Sequence, residues 1–267
     1  DDTLGRIDNV WYPNPLLANH FIYDLQLFSA YGIYRNTFGP FTYQGGVRLE
    51  QAISDGELVT TGKTFNKPYL NLFPSVSLKY NFAEDHALQL NYSKRVNRPG
   101  TRQLNPFMNI WDKYNISYGN PDLDPEFVNS LELAHHLKIK RNNFTTSVYF
   151  RQTNGMIGRT ADSISGQVRY TTYTNINKST SYGVEFVWNR PITKWWRINA
   201  NYSYFKTEFN DRTISQNSSE SYSWTAKLIN SLSPFKGLDI QVIFNYRSPV
   251  VSAGGIGRMY DGGGSQG

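Results

Sequence analysis

Three arginines near the middle of the chain have the type and the spacing to bind an anion. Arg95, Arg98 and Arg102 fall where an alternating stretch gives way to a long connection. Guanidinium groups form charge-assisted, often bidentate hydrogen bonds with phosphates and carboxylates. The sequence therefore predicts one of two arrangements: a site for an anionic ligand such as a phosphate, or salt bridges from these arginines to carboxylates of the protein itself.

The connection itself, residues 98–125, is rich in aromatic side chains. Its centre carries Trp111, Tyr114 and Tyr118. Rings of this kind stack on sugars or flat ligands, and they also pack against one another. Connections of this length without a period are usually functional or disordered. We expect an ordered loop whose aromatic centre either contacts a ligand or packs on itself.

Other kinds of reactive site find little support. His135 and His136 are adjacent, so in a strand they point to opposite faces and cannot chelate one ion together. Asp122, Asp124 and Glu126 do not have the spacing of a calcium loop, and we expect them to be structural. The chain has no cysteine. We predict no catalytic residues, no metal site and no cofactor.

The charge of the chain is too mild to demand a particular partner. Its 27 basic and 21 acidic residues give a net charge of +6, and the basic residues are spread along the chain. Proteins that bind single-stranded nucleic acid interleave aromatic and basic side chains in one groove. Here the aromatic residues lie on the apolar phase of the strands, so we predict no nucleic-acid binding.

Ten stretches alternate between apolar and polar residues with the period of a β-strand. We expect a bulge near 175–177 in the seventh stretch and no helix. The predicted strands are 21–34, 41–53, 69–82, 86–97, 126–140, 144–159, 168–189, 195–209, 219–233 and 238–247.

The length of the strands and of their connections favours a membrane barrel. Most predicted strands have about 12 to 15 residues, whereas soluble strands average about 5 to 6 and a tilted membrane strand needs about 9 to 11. Tight turns alternate with longer connections at 54–67, 98–125, 160–167 and 210–218. Outer-membrane barrels have this asymmetry. A large soluble β-sandwich or barrel with one wet face remains the alternative.

Charged residues keep to one phase of the predicted strands. In the last strand, for example, Val242 and Phe244 share the apolar phase while Asn245 lies on the other. Lys206 breaks this rule near the end of its strand. We expect the polar phase to face the barrel lumen, where it meets water or polar filler. The charged members of this phase are Asp24, Arg48, Glu50, Lys79, Glu132, Lys138, Arg151, Glu185, Arg197 and Lys227.

Several motifs resemble those of a known family. They are NLFPSVSLKYNF (71–82), SKRVNRPG (93–100), QLNPF (103–107), YGNPDLDPE (118–126) and SYGVEFVW (181–188). Together they resemble the barrel of TonB-dependent outer-membrane receptors, within the outer membrane protein β-barrel family. The GNPxLxPE element followed by a strand is the most specific of them. The resemblance covers residues 21–258.

The resemblance implies an all-β, antiparallel transmembrane barrel of 22 strands, of which about ten are present. We expect an outer loop over 1–20, barrel strands over 21–247 and a Gly-rich loop or truncated end over 248–267. The plug and the TonB-contacting box of the family are not recognisable, so we interpret the chain as the middle-to-late part of a receptor barrel.

The same resemblance implies a function and its partners. It implies ligand uptake through the outer membrane of a Gram-negative bacterium. The implied partners are outer-membrane lipid and lipopolysaccharide, a plug domain, TonB and an unknown ligand. A structural or assembly barrel, or a passive pore, is the alternative.

Overall fold

The chain is built almost entirely of β-strands. The computed structural model describes residues 4–7, 10–13, 19–112, 114–165, 167–210, 219–252 and 255–257. In chain order its elements are β1 (Leu4–Ile7), β2 (Val10–Pro13), β3 (Phe21–Phe38), β4 (Phe41–Leu58), β5 (Lys63–Ala83), β6 (His86–Asn97), α1 (Thr101–Leu104), β7 (Asn109–Asp112), β8 (Asn115–Ser117), β9 (Glu126–Ile139), β10 (Asn142–Ser165), β11 (Val168–Pro191), β12 (Trp196–Asn210), β13 (Ser219–Phe235), β14 (Leu238–Arg247), β15 (Val250–Ser252) and β16 (Gly255–Gly257).

Ten long strands form one antiparallel up-and-down sheet. Their order is β14-β13-β12-β11-β10-β9-β6-β5-β4-β3, and β7 and β8 join the same sheet off this path. All ten predicted strands are therefore present, and the prediction of an antiparallel barrel-type sheet is confirmed. β3 and β14 stand at the two ends of the order and do not pair with each other.

The strands are longer than the apolar alternation predicts. β4 and β5 continue through most of the predicted connection 54–67, and β10 and β11 continue through most of 160–167. These two long connections were therefore predicted wrongly. The ladder continues because polar side chains also pair across it, as Asn66 does when it donates to Asp55. The hairpins extend beyond the apolar part of the sheet.

The predicted bulge near 175–177 is also wrong. The register between β10 and β11 stays constant there and shifts instead between Ala161 and Ser163. Close to the predicted place the unusual residue is Gly155, on the partner strand. Its φ of 65° lies in a region that glycine adopts without a steric cost.

The predicted long connection is folded rather than aperiodic. Residues 98–125, which we call the strap, contain the single-turn helix α1 and the strands β7 and β8. β8 pairs in parallel with β11 through Asn115–Ser117. It takes the edge that β12 leaves free, because β12 pairs with β11 only from Lys178 onward. We call the strand ends beside the strap the strap end, and the opposite ends the turn end.

A seam opens between β5 and β6 toward the strap end. Pairing between the two strands stops at Ser75 and Ser93. Asn81 donates its N–H toward β4, so the residues of β5 that alternate with it turn their N–H toward β6. Pro74 and Pro68 hold those alternate positions and have no N–H to donate. The two prolines therefore explain why the ladder ends there.

The two faces of the sheet differ sharply in polarity. Side chains at paired positions of neighbouring strands share a face, so the register assigns every strand residue to one of the two. One face, which we call the apolar face, carries leucine, valine and aromatic side chains that are widely exposed. The other, the polar face, carries most of the charged residues. In a membrane barrel the apolar face is turned to lipid.

Candidate functional site

The register places nine charged residues on the polar face. They were predicted to share a face because of their alternation, and the ladders from β4 to β13 bring them together there. Whether this face lines a lumen stays a prediction. The nine residues are Arg48, Glu50, Lys79, Glu132, Lys138, Arg151, Glu185, Arg197 and Lys227.

The assignment of Asp24 to this face is wrong. Asp24 pairs with Asp55, whereas Glu50 pairs with Ser29, so Asp24 lies on the apolar face at the strap end. The error has a physical cause, because β3 carries large apolar residues in both phases. Leu27 and Phe28 are adjacent and both are exposed. Such a strand gives no clear polar phase.

A buried carboxylate holds the start of the strap. Glu50 is only 3% exposed. Its Oε1 forms an ion pair with the guanidinium of Arg98, the first residue of the strap, and its Oε2 lies 3.3 Å from Arg48 Nε. Arg98 Nε also donates to the Tyr69 hydroxyl at 2.6 Å. Of the two alternatives for Arg98, a salt bridge to a carboxylate of the sheet is the one that the structure contains.

The charges and rings around Glu50 favour a strap that stays docked on the sheet. Two guanidinium groups flank one carboxylate, and each also lies near a ring: Arg48 is 5.1 Å from the Phe73 centroid and Arg98 is 5.8 Å from that of Tyr69. Burial, and then the charge of Arg48, lowers the pKa of Arg98 from its usual value. Arginine starts so high that it stays charged.

The strap is tied down at its far end as well. Lys67 Nζ lies 3.7 Å from Asp124 Oδ1 and donates to the Leu123 carbonyl at 3.3 Å. Asn175 of β11 accepts from the Asp124 N–H and donates to the Asp124 carbonyl, both at 2.9 Å. Asn175 also donates to Gly155 O at 2.7 Å. One asparagine thus joins β10, β11 and the strap.

Within the strap, two segments approach so closely that glycine is required. The Gly119 N–H donates to Asn105 O at 2.8 Å, and the Asn120 N–H donates to Gln103 O at 2.7 Å. A Cβ on Gly119 would lie 2.5 Å from Asn105 O. The glycine of the GNPxLxPE element is therefore needed for backbone contact, a structural role that sequence spacing alone did not reveal.

The strap also covers a small core and a cavity on the polar face. Leu104 and Leu123 are 2% and 1% exposed. Between them and β5 lies a cavity of about 580 Å³. Tyr23, Lys67 and Tyr69 line it from the sheet side. Its walls are rich in rings, and its lining cation Lys67 is already paired with Asp124, so the cavity can hold a flat group.

A second cavity lies on the polar face nearer the turn end. It measures about 620 Å³, and Arg95, Glu132 and Arg151 line it together with amide and hydroxyl side chains. Among the residues that the structure describes, neither Arg95 nor Arg151 has a carboxylate within salt-bridge distance. These two arginines are therefore available to an anionic ligand in a way that Arg98 is not.

The remaining predicted ligand-contact residues are dispersed. Arg102 is exposed on α1 and forms no ion pair with a described carboxylate. Tyr114 is 42% exposed. The Tyr118 N–H donates to Thr171 O at 3.1 Å, which ties this residue to β11. The side chain of Trp111 lies outside the described residues. The described side chains of this group are therefore not gathered into one site, since Arg95 and Arg98 line different cavities.

A second charge cluster occupies the apolar face at the strap end. Lys206 Nζ lies 2.7 Å from Glu208 Oε1 and 2.9 Å from Glu220 Oε2. The hydroxyl of Tyr182 donates to Glu208 at 3.1 Å. Lys206 lies on the apolar phase of β12, as the sequence indicated. It is accommodated there because its charge partners lie on the same face.

The histidines form a pair that spacing did not predict. His135 and His136 point to opposite faces, as expected, but His135 Nε2 lies 3.1 Å from His86 Nδ1 on the apolar face. Within the described ranges, no three acidic or histidine side chains are grouped as a metal site would require. No helix in those ranges is long and apolar enough to span a membrane.

Sequence reasoning missed the partners of the strap. Tyr69, Lys67 and Asn175 anchor it, yet the sequence marked none of them as its partner: Tyr69 began a predicted strand, Lys67 ended a predicted connection and Asn175 lay in a predicted bulge. A signal was present for one of them, because the Tyr69 hydroxyl needs a partner when it is half-buried. The partner itself depends on strand register and on the fold of the strap.

Comparison with known families now adds to this geometry. A family model described as "Outer membrane protein beta-barrel family" matches residues 2–261. The match covers nearly the whole chain, including the strap.

Solved structures show the same fold at low sequence identity. The siderophore receptor PiuA from Acinetobacter baumannii has a TM-score of 0.61 and 16% identity, with 86% of this chain and 34% of that chain covered. The ferric yersiniabactin uptake receptor FyuA from Yersinia pestis has a TM-score of 0.55 and 15% identity, with 86% of this chain and 35% of that chain covered. The siderophore receptor PirA from Pseudomonas aeruginosa has a TM-score of 0.51 and 12% identity, with 84% of this chain and 53% of that chain covered.

The chain thus spans between a third and about half of the length of these receptors. Their likeness shows a shared fold, and the family match covers the strands and the strap alike. The chain therefore belongs to the outer membrane protein beta-barrel family and has the barrel fold of TonB-dependent receptors in the outer membrane of Gram-negative bacteria.

Proposed function

We propose that the chain forms part of the wall of a TonB-dependent receptor that captures a ligand at the strap end and takes it up through the outer membrane. The observation that carries this proposal is the strap. It is folded over the polar face and anchored by Glu50 and Asn175, instead of extending freely from the sheet. In this proposal the strap end is the cell exterior and the polar face lines the lumen.

The ligand would meet the polar face below the strap. Arg95 and Arg151 line the cavity of about 620 Å³ beside Glu132. Guanidinium groups without a carboxylate partner form strong charge-assisted bonds with an anionic ligand. Tyr114, exposed on the strap, supplies an aromatic contact nearer the exterior. Arg98 would act indirectly, because Glu50 already holds it and it positions the strap.

The plug and TonB enter the proposal through the family resemblance. Three of the similar structures carry the names of siderophore or ferric yersiniabactin receptors, which makes a ferric siderophore the first ligand to test. The charged polar face would then contact a plug whose rearrangement, driven through TonB, admits the ligand. Lipid and lipopolysaccharide would surround the apolar face.

Uptake is tested in cells that carry the full-length gene. Cells with the gene, cells without it and cells without functional TonB receive ferric siderophores labelled with radioactive iron. The proposal expects uptake that needs both the gene and TonB. Arg151→Gln should raise the half-saturating ligand concentration, whereas Lys227→Gln, on the same face but outside the cavity, should not.

Conductance separates the receptor from a passive pore. Purified full-length protein is inserted into planar bilayers bathed in potassium chloride. A plugged receptor gives no lasting conductance. A stable open current in every insertion identifies a passive pore and overturns the proposal. Normal uptake of every siderophore without the gene, together with a leaky envelope, would favour the structural alternative.

A further inference from the structure

The apolar face is not equally tall on all strands. On β5 it carries eight apolar side chains in an unbroken alternating series from Pro68 to Phe82. This series covers fourteen residue steps, about 46 Å along the strand at a rise of about 3.3 Å per residue. With the usual tilt of about 40°, its height along the membrane normal is about 35 Å.

From β6 to β13 the apolar face is interrupted by one row of polar side chains, beyond which single apolar residues follow on three strands: Val96 on β6, Phe127 on β9 and Met156 on β10. Each member lies directly opposite the next in the strand register, so the row is continuous across six strands. We call it the polar row. It consists of Lys94, Asn129, Gln152, Thr180, Glu208 and Glu220.

Below the polar row the apolar band is thin. On β10 it extends from Phe150 down to Phe144, and on β11 from Tyr182 down to Trp188. Six residue steps give about 20 Å along the strand and about 15 Å along the membrane normal. The apolar band of outer-membrane barrels is typically about 25 Å tall. Thr146 interrupts even this short band on β10.

The change in height falls at the seam between β5 and β6. If pairing continued, Pro74 would lie opposite Lys94, the first member of the polar row. On β5 three more apolar residues of the same face follow Pro74 toward the strap end: Leu72, Leu70 and Pro68. The prolines that end the ladder therefore also separate a tall wall from a thin one.

Several members of the polar row are satisfied within the sheet. The Tyr92 hydroxyl donates to Asn129 Oδ1 at 3.0 Å, and Gln152 Nε2 donates to Asn154 Oδ1 at 2.9 Å. Lys94 Nζ lies 5.2 Å from the Phe127 centroid. Polar groups that already pair laterally do not need a protein to cover them. They do need to stay out of hydrocarbon, because polar groups are costly there.

We propose that the wall formed by β6, β9, β10 and β11 thins the outer membrane beside it, with lipid head groups held at the level of the polar row. The partner is the lipid of the outer leaflet, an assignment that rests on the proposed function, which places the strap end at the cell exterior. Its head groups supply polar and charged contacts to amide, carboxylate and ammonium side chains. A band shorter than the hydrocarbon thickness is accommodated by local thinning of the bilayer. Beside β5 the apolar band is taller than about 25 Å, so the membrane is not thinned there.

Spin labels on single cysteines test the two walls directly. The 267 residues contain no cysteine, so none of them has to be replaced. Any cysteine elsewhere in the full-length protein is changed to serine, and labels are then placed one at a time in protein reconstituted in vesicles. Asn154→Cys and Leu72→Cys are matched, because each lies ten residues from its turn-end aromatic, Phe144 or Phe82, on the apolar face. Oxygen relaxes labels in hydrocarbon, and a nickel chelate relaxes labels in water or head groups.

Thinning predicts contrasting results at the two positions. The label at 154 should collide with the nickel chelate, and the label at 72 should collide with oxygen. Oxygen contact at both positions would show that the polar row is immersed and would overturn the proposal. Nickel contact at both positions would show that the apolar bands of the two walls do not differ in height, which would also overturn the proposal. Protection of position 154 from both reagents would show a protein covering the wall, which also overturns it.

A second measurement changes the height of the band. The variant Gln152→Leu/Asn154→Leu/Thr180→Val extends the apolar face of β10 and β11 past the polar row. Its folding yield should peak in vesicles of longer acyl chains than that of the unmodified protein. Thr153→Val, on the opposite face of β10, is the control and should leave the optimum unchanged. An unchanged optimum in the triple variant would contradict thinning.

Discussion

Two charge clusters of similar composition lie on opposite faces of the sheet. The first joins Glu50 to Arg48 and Arg98, and the second joins Lys206 to Glu208 and Glu220. Each places one charge between two of the opposite sign. The Glu50 side chain is nearly inaccessible, whereas more than a third of the side-chain surface of Glu208 and nearly half of that of Glu220 is exposed.

The difference shows that burial, and not composition, determines how much a charge cluster contributes to stability. Removing one partner of a buried ion pair leaves a charge without compensation. Exposed ion pairs are screened by water and salt and contribute little. We therefore expect the Glu50 cluster to hold the strap and the Lys206 cluster to mark where the hydrocarbon ends.

The largest effect is expected for Glu50→Gln. The change leaves two guanidinium groups without their carboxylate and should destabilise the docked strap by about 3 to 5 kcal/mol. Protease added to intact cells should then cleave within 98–125 much faster than in the unmodified protein. Glu132→Gln removes a carboxylate from the same face and is the control. Equal cleavage in the two variants would contradict the role of Glu50.

A charge introduced into the middle of the apolar face should have the next largest effect. Val242→Arg should lower the stability of the inserted protein by about 2 to 4 kcal/mol near the membrane midplane. Asn245→Arg, on the opposite face of β14, should be tolerated. Urea unfolding from vesicles measures the difference. Equal tolerance of both changes would mean that the faces are assigned wrongly.

Asn175→Ala tests whether neutral hydrogen bonds also hold the strap. The change leaves the N–H and the carbonyl of Asp124 without their partner and should cost about 1 to 3 kcal/mol. Cleavage of the strap should rise less than in Glu50→Gln. A larger rise would make the asparagine, and not the ion pair, the main anchor.

The smallest effect is expected for Lys206→Gln. The Lys206 side chain is 14% exposed, but both of its carboxylate partners are partly exposed and can be hydrated, so the substitution should leave the midpoint of thermal unfolding unchanged within error. The measurement is a thermal melt in detergent at low and at high salt. A clear fall in the midpoint at low salt would show that the two clusters contribute more similarly to stability than their burial indicates.

How much of the fold can be predicted from the sequence depends on how far apart along the chain the interacting residues lie. All ten strands were predicted because alternation is a local property that the sheet preserves. The hairpin extensions near Asp55 and Asn66 were missed, because polar residues on both phases remove the alternation that marks a strand. Asp24 was assigned to the wrong face for the related reason that β3 is apolar on both sides.

The candidate site was predicted less completely. The alternation of charges correctly grouped residues such as Arg48, Glu50 and Arg151 on one face. The pairing of Glu50 with Arg98 connects residues 48 positions apart, and no local pattern predicts which carboxylate such an arginine reaches. The ligand role of Arg95, Tyr114 and the other predicted contact residues stays a prediction.

The sequence by itself determined the class of the protein. Period-two alternation over long strands, one charged phase and the family motifs specified a membrane β-sheet, because each depends on neighbouring residues alone. Only the tertiary structure decided that the strap folds over the polar face, that two prolines open a seam and that a polar row crosses six strands. These features depend on register, which brings distant residues into contact and leaves no local trace in the sequence.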